Sequence, residues 1–171
     1  QRLADLAASI EALAALEPEH ASVYLLELHP GSPLSRAIEN GRWRRAADDD
    51  AADMYHAVFE RLERAGLRQY EISNAARPGQ ESRHNLKYWT GGEWIGFGPA
   101  AHSTCGGFRW QNVAGVQEYV SRVEAGRVPD DGRRLLSRRE QLEEALFLGL
   151  RLADGLDLAE VERRFGVDVG A

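Results

Sequence analysis

The stretch Ser22-Val23-Tyr24-Leu25-Leu26-Glu27-Leu28-His29-Pro30-Gly31-Ser32-Pro33 decides how the fold is read. Val23 to Leu26 is an unbroken apolar run, the pattern of a strand covered on both faces in a parallel sheet. Pro30-Gly31-Ser32-Pro33 closes it as a turn. Upstream, Leu3, Leu6, Ile10, Leu13 and Leu16 recur at helical spacing, so an amphipathic helix precedes the run and Pro18 ends it. Downstream, a short helix is expected from Leu34 to Asn40, stopped by Gly41. Asp48 to Asp50 favour the next helix start. Ala51, Met54, Tyr55, Val58 and Leu62 form its apolar stripe, and Gly66 closes it. Leu67 to Ile72 reads as a second strand. Helix, strand, helix, strand is the order expected at the tail of a parallel α/β barrel or doubly wound sheet. Ligands collect at the C-terminal strand ends of such folds, here Glu27-Leu28-His29 and Ile72-Ser73-Asn74.

Past residue 104 the pattern changes. Phe108 to Val113 suits a short strand or hairpin, and the rest reads as helical. Val116, Tyr119, Val120 and Val123 mark one helix, broken at Pro129-Asp130-Asp131-Gly132. Ser137 and Glu140 form a capping-box signature before a helix bearing Leu142, Leu146 and Leu150. Leu158, Val161 and Phe165 begin another. The division expected is therefore 1–104, an α/β part, and 105–171, a helical part.

Composition narrows the function classes. The chain has 171 residues, of which 43% are hydrophobic and 28% charged, as in ordinary globular proteins. A net charge of −6 argues against nucleic-acid binding, which needs a basic surface. Apolar runs are too short for a membrane span. Cys105 is the only cysteine, so no internal disulfide can form, which fits a reducing compartment such as the cytoplasm. The chain opens without methionine and stops just after a helix, so a fragment is expected.

The densest chemistry is Arg83-His84-Asn85-Leu86-Lys87-Tyr88-Trp89, followed by glycines from Gly91 to Gly98. His84 could ligate a metal through one imidazole nitrogen, or be a hydrogen-bonded loop histidine. On a helix, His84 and Tyr88 would share a face. Arg83 and Lys87 (the only lysine) could pair with carboxylates, and Trp89 and Trp94 could stack on a flat ligand or fill a core. Gly96-Phe97-Gly98-Pro99-Ala100-Ala101 is no dinucleotide fingerprint, because Pro99 interrupts the turn and no amphipathic helix follows. Its glycines could still bring backbone close to a ligand. His102 and Ser103 are read as structural. Glu71 could be a proton donor, a ligand-binding carboxylate or an outward strand residue, and Cys105 a thiolate ligand or an inert apolar residue. No zinc pattern, P-loop or nucleophile elbow occurs.

Together, Tyr70-Glu71-Ile72-Ser73-Asn74, Ala76-Arg77-Pro78-Gly79, His84-Asn85-Leu86-Lys87-Tyr88-Trp89 and Gly96-Phe97-Gly98-Pro99-Ala100-Ala101-His102-Ser103 resemble the C-terminal half of the HemW family. Those proteins are radical SAM haem chaperones related to oxygen-independent coproporphyrinogen III oxidase. Leu28-His29-Pro30-Gly31-Ser32-Pro33 and Phe147-Leu148-Gly149-Leu150-Arg151 extend the likeness over nearly the whole chain. The resemblance implies an α/β fold: the end of a radical SAM partial (β/α)6 barrel, then a mostly helical C-terminal domain. It implies a haem motif of His84, Asn85, Tyr88 and Trp89, with His84 on the haem iron, and Glu27 and His102 near S-adenosylmethionine. The family's [4Fe–4S] cluster cysteines are not in this chain. The implied activity is haem delivery to apo-haemoproteins such as respiratory enzymes, with peripheral contact to membrane proteins. The enzymatic alternative is the radical decarboxylation of a porphyrinogen. The resemblance leaves the oligomeric state open.

Overall fold

The computed structural model describes residues 3–168 and divides the chain into two compact units, Gln1–Glu81 and Ser82–Ala171. In the first, helices α1 (Leu3–Ala14), α2 (Pro33–Glu39) and α3 (Asp48–Arg64) accompany strands β1 (His20–Ser22), β2 (Arg68–Glu71) and β3 (Asn74–Ala76). The core joins Ile10 of α1, Val58, Phe59 and Leu62 of α3, and Ala21, Leu67 and Ala75 from the sheet region. Acidic Asp48, Asp49 and Asp50 occupy the first turn of α3, where the helix dipole favours them. At its other end Gly66, at φ +84°, lets its N–H reach Glu63 O, while the Leu67 N–H reaches Leu62 O. This is a Schellman closure, and its apolar pair, Leu62 and Leu67, is fully buried.

Two expectations for this unit need correction. Val23 to Leu26 is not a strand, and Tyr24, Leu25 and Leu26 are 72%, 61% and 74% exposed. A strand needs a backbone partner along its length. β3 supplies one only as far as Ser22↔Asn74 and the Val23 N–H to Ser73 O bond, after which the partner chain turns away. The strands are also not paired in parallel. The order is β1-β3-β2, with β3 antiparallel to both neighbours. Asn74-Ala75-Ala76 carries no strand signal because alanine and asparagine are weak strand formers, yet all three are buried. β1 and β2 still run in the same direction, one strand apart.

The second unit contains α4 (Arg83–Trp89), β4 (His102–Cys105), β5 (Phe108–Asn112), α5 (Val116–Glu124), β6 (Asp130–Leu135), α6 (Arg138–Gly149) and α7 (Leu158–Phe165). The strands form a three-stranded antiparallel sheet in the order β4-β5-β6. Gly106 and Gly107, both at positive φ, make the two-residue turn between Cys105 and Phe108, matching the twist of the flanking strands. Beyond residue 104 the structure has helices α5, α6 and α7, the strand β5 where a strand or hairpin is expected, and β6, where the sequence pattern shows only a helix break. Its Asp-Asp-Gly-Arg-Arg run is polar, with Asp130 half-buried and the rest exposed, so only backbone pairing with β5 identifies it as a strand. The expected division between 104 and 105 falls inside β4, which pairs with β5 from His102 onward.

The capping box at α6 is present as expected. Ser137 Oγ accepts from the Glu140 N–H, and the Glu140 carboxylate accepts from the Ser137 N–H at 2.9 Å. The Ser137 backbone bond, then the Ser137 hydroxyl and Arg134, push the Glu140 pKa from the ordinary 4.5 down to about 2. A depressed acid pKa means this contribution is complete above pH 4.5 and disappears as pH falls towards 2. Glu140→Gln should therefore flatten the acid limb of a stability–pH curve between those values, as followed by circular dichroism.

Candidate functional site: the His84 helix

Helix α4 is short and closed at both ends by its own sequence. Ser82 Oγ accepts from the Asn85 N–H at 3.3 Å. At the far end the Gly91 N–H bonds Tyr88 O at 3.3 Å and the Gly92 N–H bonds Lys87 O at 2.7 Å, with Gly91 at φ +69°. That is a second Schellman closure, and it accounts for the Gly91-Gly92 pair. Gly92 also packs on the lysine stem, since a Cβ there would lie 2.5 Å from Lys87 Cγ.

A turn of about 100° per residue puts His84 and Tyr88 on one face, and Asn85 and Trp89 on the next. The His84 and Tyr88 rings meet edge to face, with centroids 4.9 Å apart. Tyr88 meets Trp94 at 4.5 Å. His84 is exposed, whereas Tyr88 and Trp94 are half-buried. Trp94 is fixed by reciprocal backbone bonds with Thr104, and its Nε1–H donates to His102 O at 3.2 Å. A ring ladder thus runs from β4 to the imidazole.

The structure does not bring Trp89 to that face. Trp89 lines a groove with Ala145, Gly149, Leu152, Val161 and Phe165, and the Arg151 guanidinium lies 5.2 Å from its ring. Its Nε1 is buried without an acceptor. Asn85 is half-buried, while Arg83 and Lys87 are exposed.

The glycine-rich segment approaches its own sheet. A Cβ on Gly96 would sit 2.3 Å from His102 O. The Gly96 N–H donates to Ser103 Oγ at 3.0 Å, and Asn112 Nδ2 donates to Gly96 O and Gly98 O at 3.2 and 2.9 Å. Ser103 and Asn112 are buried and hold this loop. Sequence reasoning missed Asn112, whose only signal is a polar residue ending a strand.

Residues 136–171 match the family model of the HemN C-terminal domain. The Bacillus subtilis heme chaperone HemW is 36% identical over 166 residues, covering 97% of this chain and 44% of the relative. The chain belongs to the HemW family. A zebrafish (Danio rerio) relative, the mitochondrial radical S-adenosyl methionine domain-containing protein 1, is 34% identical over 149 residues, covering 81% of this chain and 33% of the relative. Among solved structures, the radical SAM coproporphyrinogen III oxidase HemN of Escherichia coli superposes with a TM-score of 0.74. It covers 98% of this chain and 41% of that one at 16% identity, a likeness of fold. The chain therefore spans less than half the length of these HemW-type relatives and shares the C-terminal part of the HemN fold.

The remaining candidates of this HemW-family chain divide clearly. Glu27 is exposed on the irregular segment after β1. His102 begins β4 with its side chain exposed and its carbonyl taken by Trp94. Glu71 is sealed at 0% exposure; one carboxylate oxygen accepts from Asn74 Nδ2, and the other has no partner. Cys105 donates to Glu93 Oε2 at 3.5 Å. That bond, with desolvation and the Glu93 charge, raises its pKa and keeps it a thiol. No cluster of three or more metal-ligating side chains occurs among the described residues.

Proposed function

We propose that the full-length protein binds haem through His84 and passes it to apo-haemoproteins. The observation that carries this reading is the exposed His84 on a doubly capped helix, its ring packed edge-on by Tyr88, in a chain of the HemW family. The donor chemistry fits: histidine is the usual axial ligand of haem iron, with tyrosine a known alternative. Capping at both ends supports the ligand on a rigid element. Bound haem would supply a redox-active iron and carboxylates, and Arg83 and Lys87, both exposed on the same helix, are the cations that would pair with those carboxylates. Asn85 belongs to the same motif, and Trp89 anchors the helix from its other side.

A [4Fe–4S] cluster and S-adenosylmethionine fit the radical SAM relatives but not the donors of this chain, whose single cysteine is hydrogen-bonded to Glu93. We place the cluster on other residues of the full-length protein, with Glu27 and His102 as neighbours of S-adenosylmethionine. Respiratory apo-enzymes are the proposed recipients, met in the cytoplasm or at the periphery of membrane proteins. No described helix is long and apolar enough to cross a membrane.

The test is a haem titration of the full-length protein followed at the Soret band, alongside anaerobic incubation with coproporphyrinogen III and S-adenosylmethionine. Saturable haem binding without porphyrinogen turnover is the expected result. Turnover without haem binding would favour the oxidase reading.

A further inference from the structure

We infer that Trp94 is the positioning residue of the haem ligand: it holds Tyr88, and through Tyr88 it sets the orientation of the His84 imidazole. This rests on the haem reading above. An exposed histidine on a seven-residue helix has free side-chain rotation unless something packs on it. Here one ring contact restrains it, the Tyr88 edge at 87° to the imidazole plane. Tyr88 also projects from the short helix, so it needs its own support. Trp94 supplies that support at a centroid distance of 4.5 Å and 66° between planes, a geometry favourable for aromatic pairs.

Trp94 is in turn fixed at three points. Its N–H and C=O pair with Thr104 at 2.8 and 2.9 Å, and its indole N–H bonds the His102 carbonyl. The orientation of His84 is thereby referred to β4, not only to the helix that carries it. The same arrangement joins the two histidines singled out in this unit, the His102 backbone at one end and the His84 ring at the other. Preorganising a ligand in this way removes the cost of immobilising it on binding.

The experiment uses the full-length protein with ¹³C-labelled histidine, comparing wild type with Trp94→Ala, Trp94→Phe and His84→Ala. His84→Ala assigns the His84 ring resonance. In the haem-free protein, Trp94→Ala should move that resonance towards its value in an unfolded peptide, and Trp94→Phe should restore most of the difference. Haem affinity should fall about threefold to tenfold in Trp94→Ala and recover in Trp94→Phe. An unmoved resonance in Trp94→Ala overturns the inference, as does equal weakening of haem binding by both Trp94 variants. If haem binding ignores His84→Ala, the haem reading itself fails, while the haem-free resonance still decides whether Trp94 orients His84.

Discussion

Haem affinity of the full-length protein should fall at least about a hundredfold on His84→Ala, because even loss of a group supporting a metal ligand costs roughly ten- to a hundredfold. The Soret maximum should also move. The prediction contains its own complication, since Tyr88 lies one turn along the same face, ring to ring with His84. A phenol at that place can ligate ferric haem when the imidazole is gone. His84→Ala should therefore retain a weak complex with a tyrosinate-type charge-transfer band, and His84→Ala/Tyr88→Phe should lose it. Tyr88→Phe alone keeps the ring that packs on His84 and should leave affinity within about twofold, as substitutions without new cavities or unpaired groups do. Wild-type affinity in the double variant would remove α4 as the haem site.

How much of this was legible beforehand depended on where each signal lay. α3 was readable because its stripe, its acidic first turn and its closing glycine agree. The His84 helix was readable as a motif, and its i, i+4 histidine–tyrosine pair followed from helical geometry alone. What the sequence concealed was long-range. Val23 to Leu26 has strand composition, but composition cannot show that β3 stops pairing at Ser22. Asn74-Ala75-Ala76 and β6 have the reverse character: poor strand formers made into strands by a partner's backbone. Trp89 and Trp94 are the same residue type five positions apart. Only tertiary contacts send one to the α6–α7 groove and the other to the His84 ladder.

The same distinction between local and long-range causes makes Gly96 the most sensitive glycine of the second unit. At Gly98, φ is +97° and a Cβ would meet nothing within 4 Å, so Gly98→Ala carries only the backbone strain of an L-residue there, about 1–2 kcal/mol. At Gly96 a Cβ would fall 2.3 Å from His102 O and 2.9 Å from Ala101 Cβ. A backbone oxygen cannot rotate aside as a side chain can. To make room the loop must leave β4, which strips Ser103 Oγ of the Gly96 N–H and Asn112 Nδ2 of the Gly96 and Gly98 carbonyls. Overpacking and lost buried hydrogen bonds together should cost about 3 kcal/mol. The local readout is hydrogen exchange at the paired Trp94 and Thr104 amides. Protection there should fall about a hundredfold in Gly96→Ala and about tenfold in Gly98→Ala. Because Trp94 supports Tyr88 and His84, Gly96→Ala should also weaken haem binding although it lies outside the haem motif. Protection and haem affinity both unchanged in Gly96→Ala would show that the loop is not clamped to β4 and does not support the ladder.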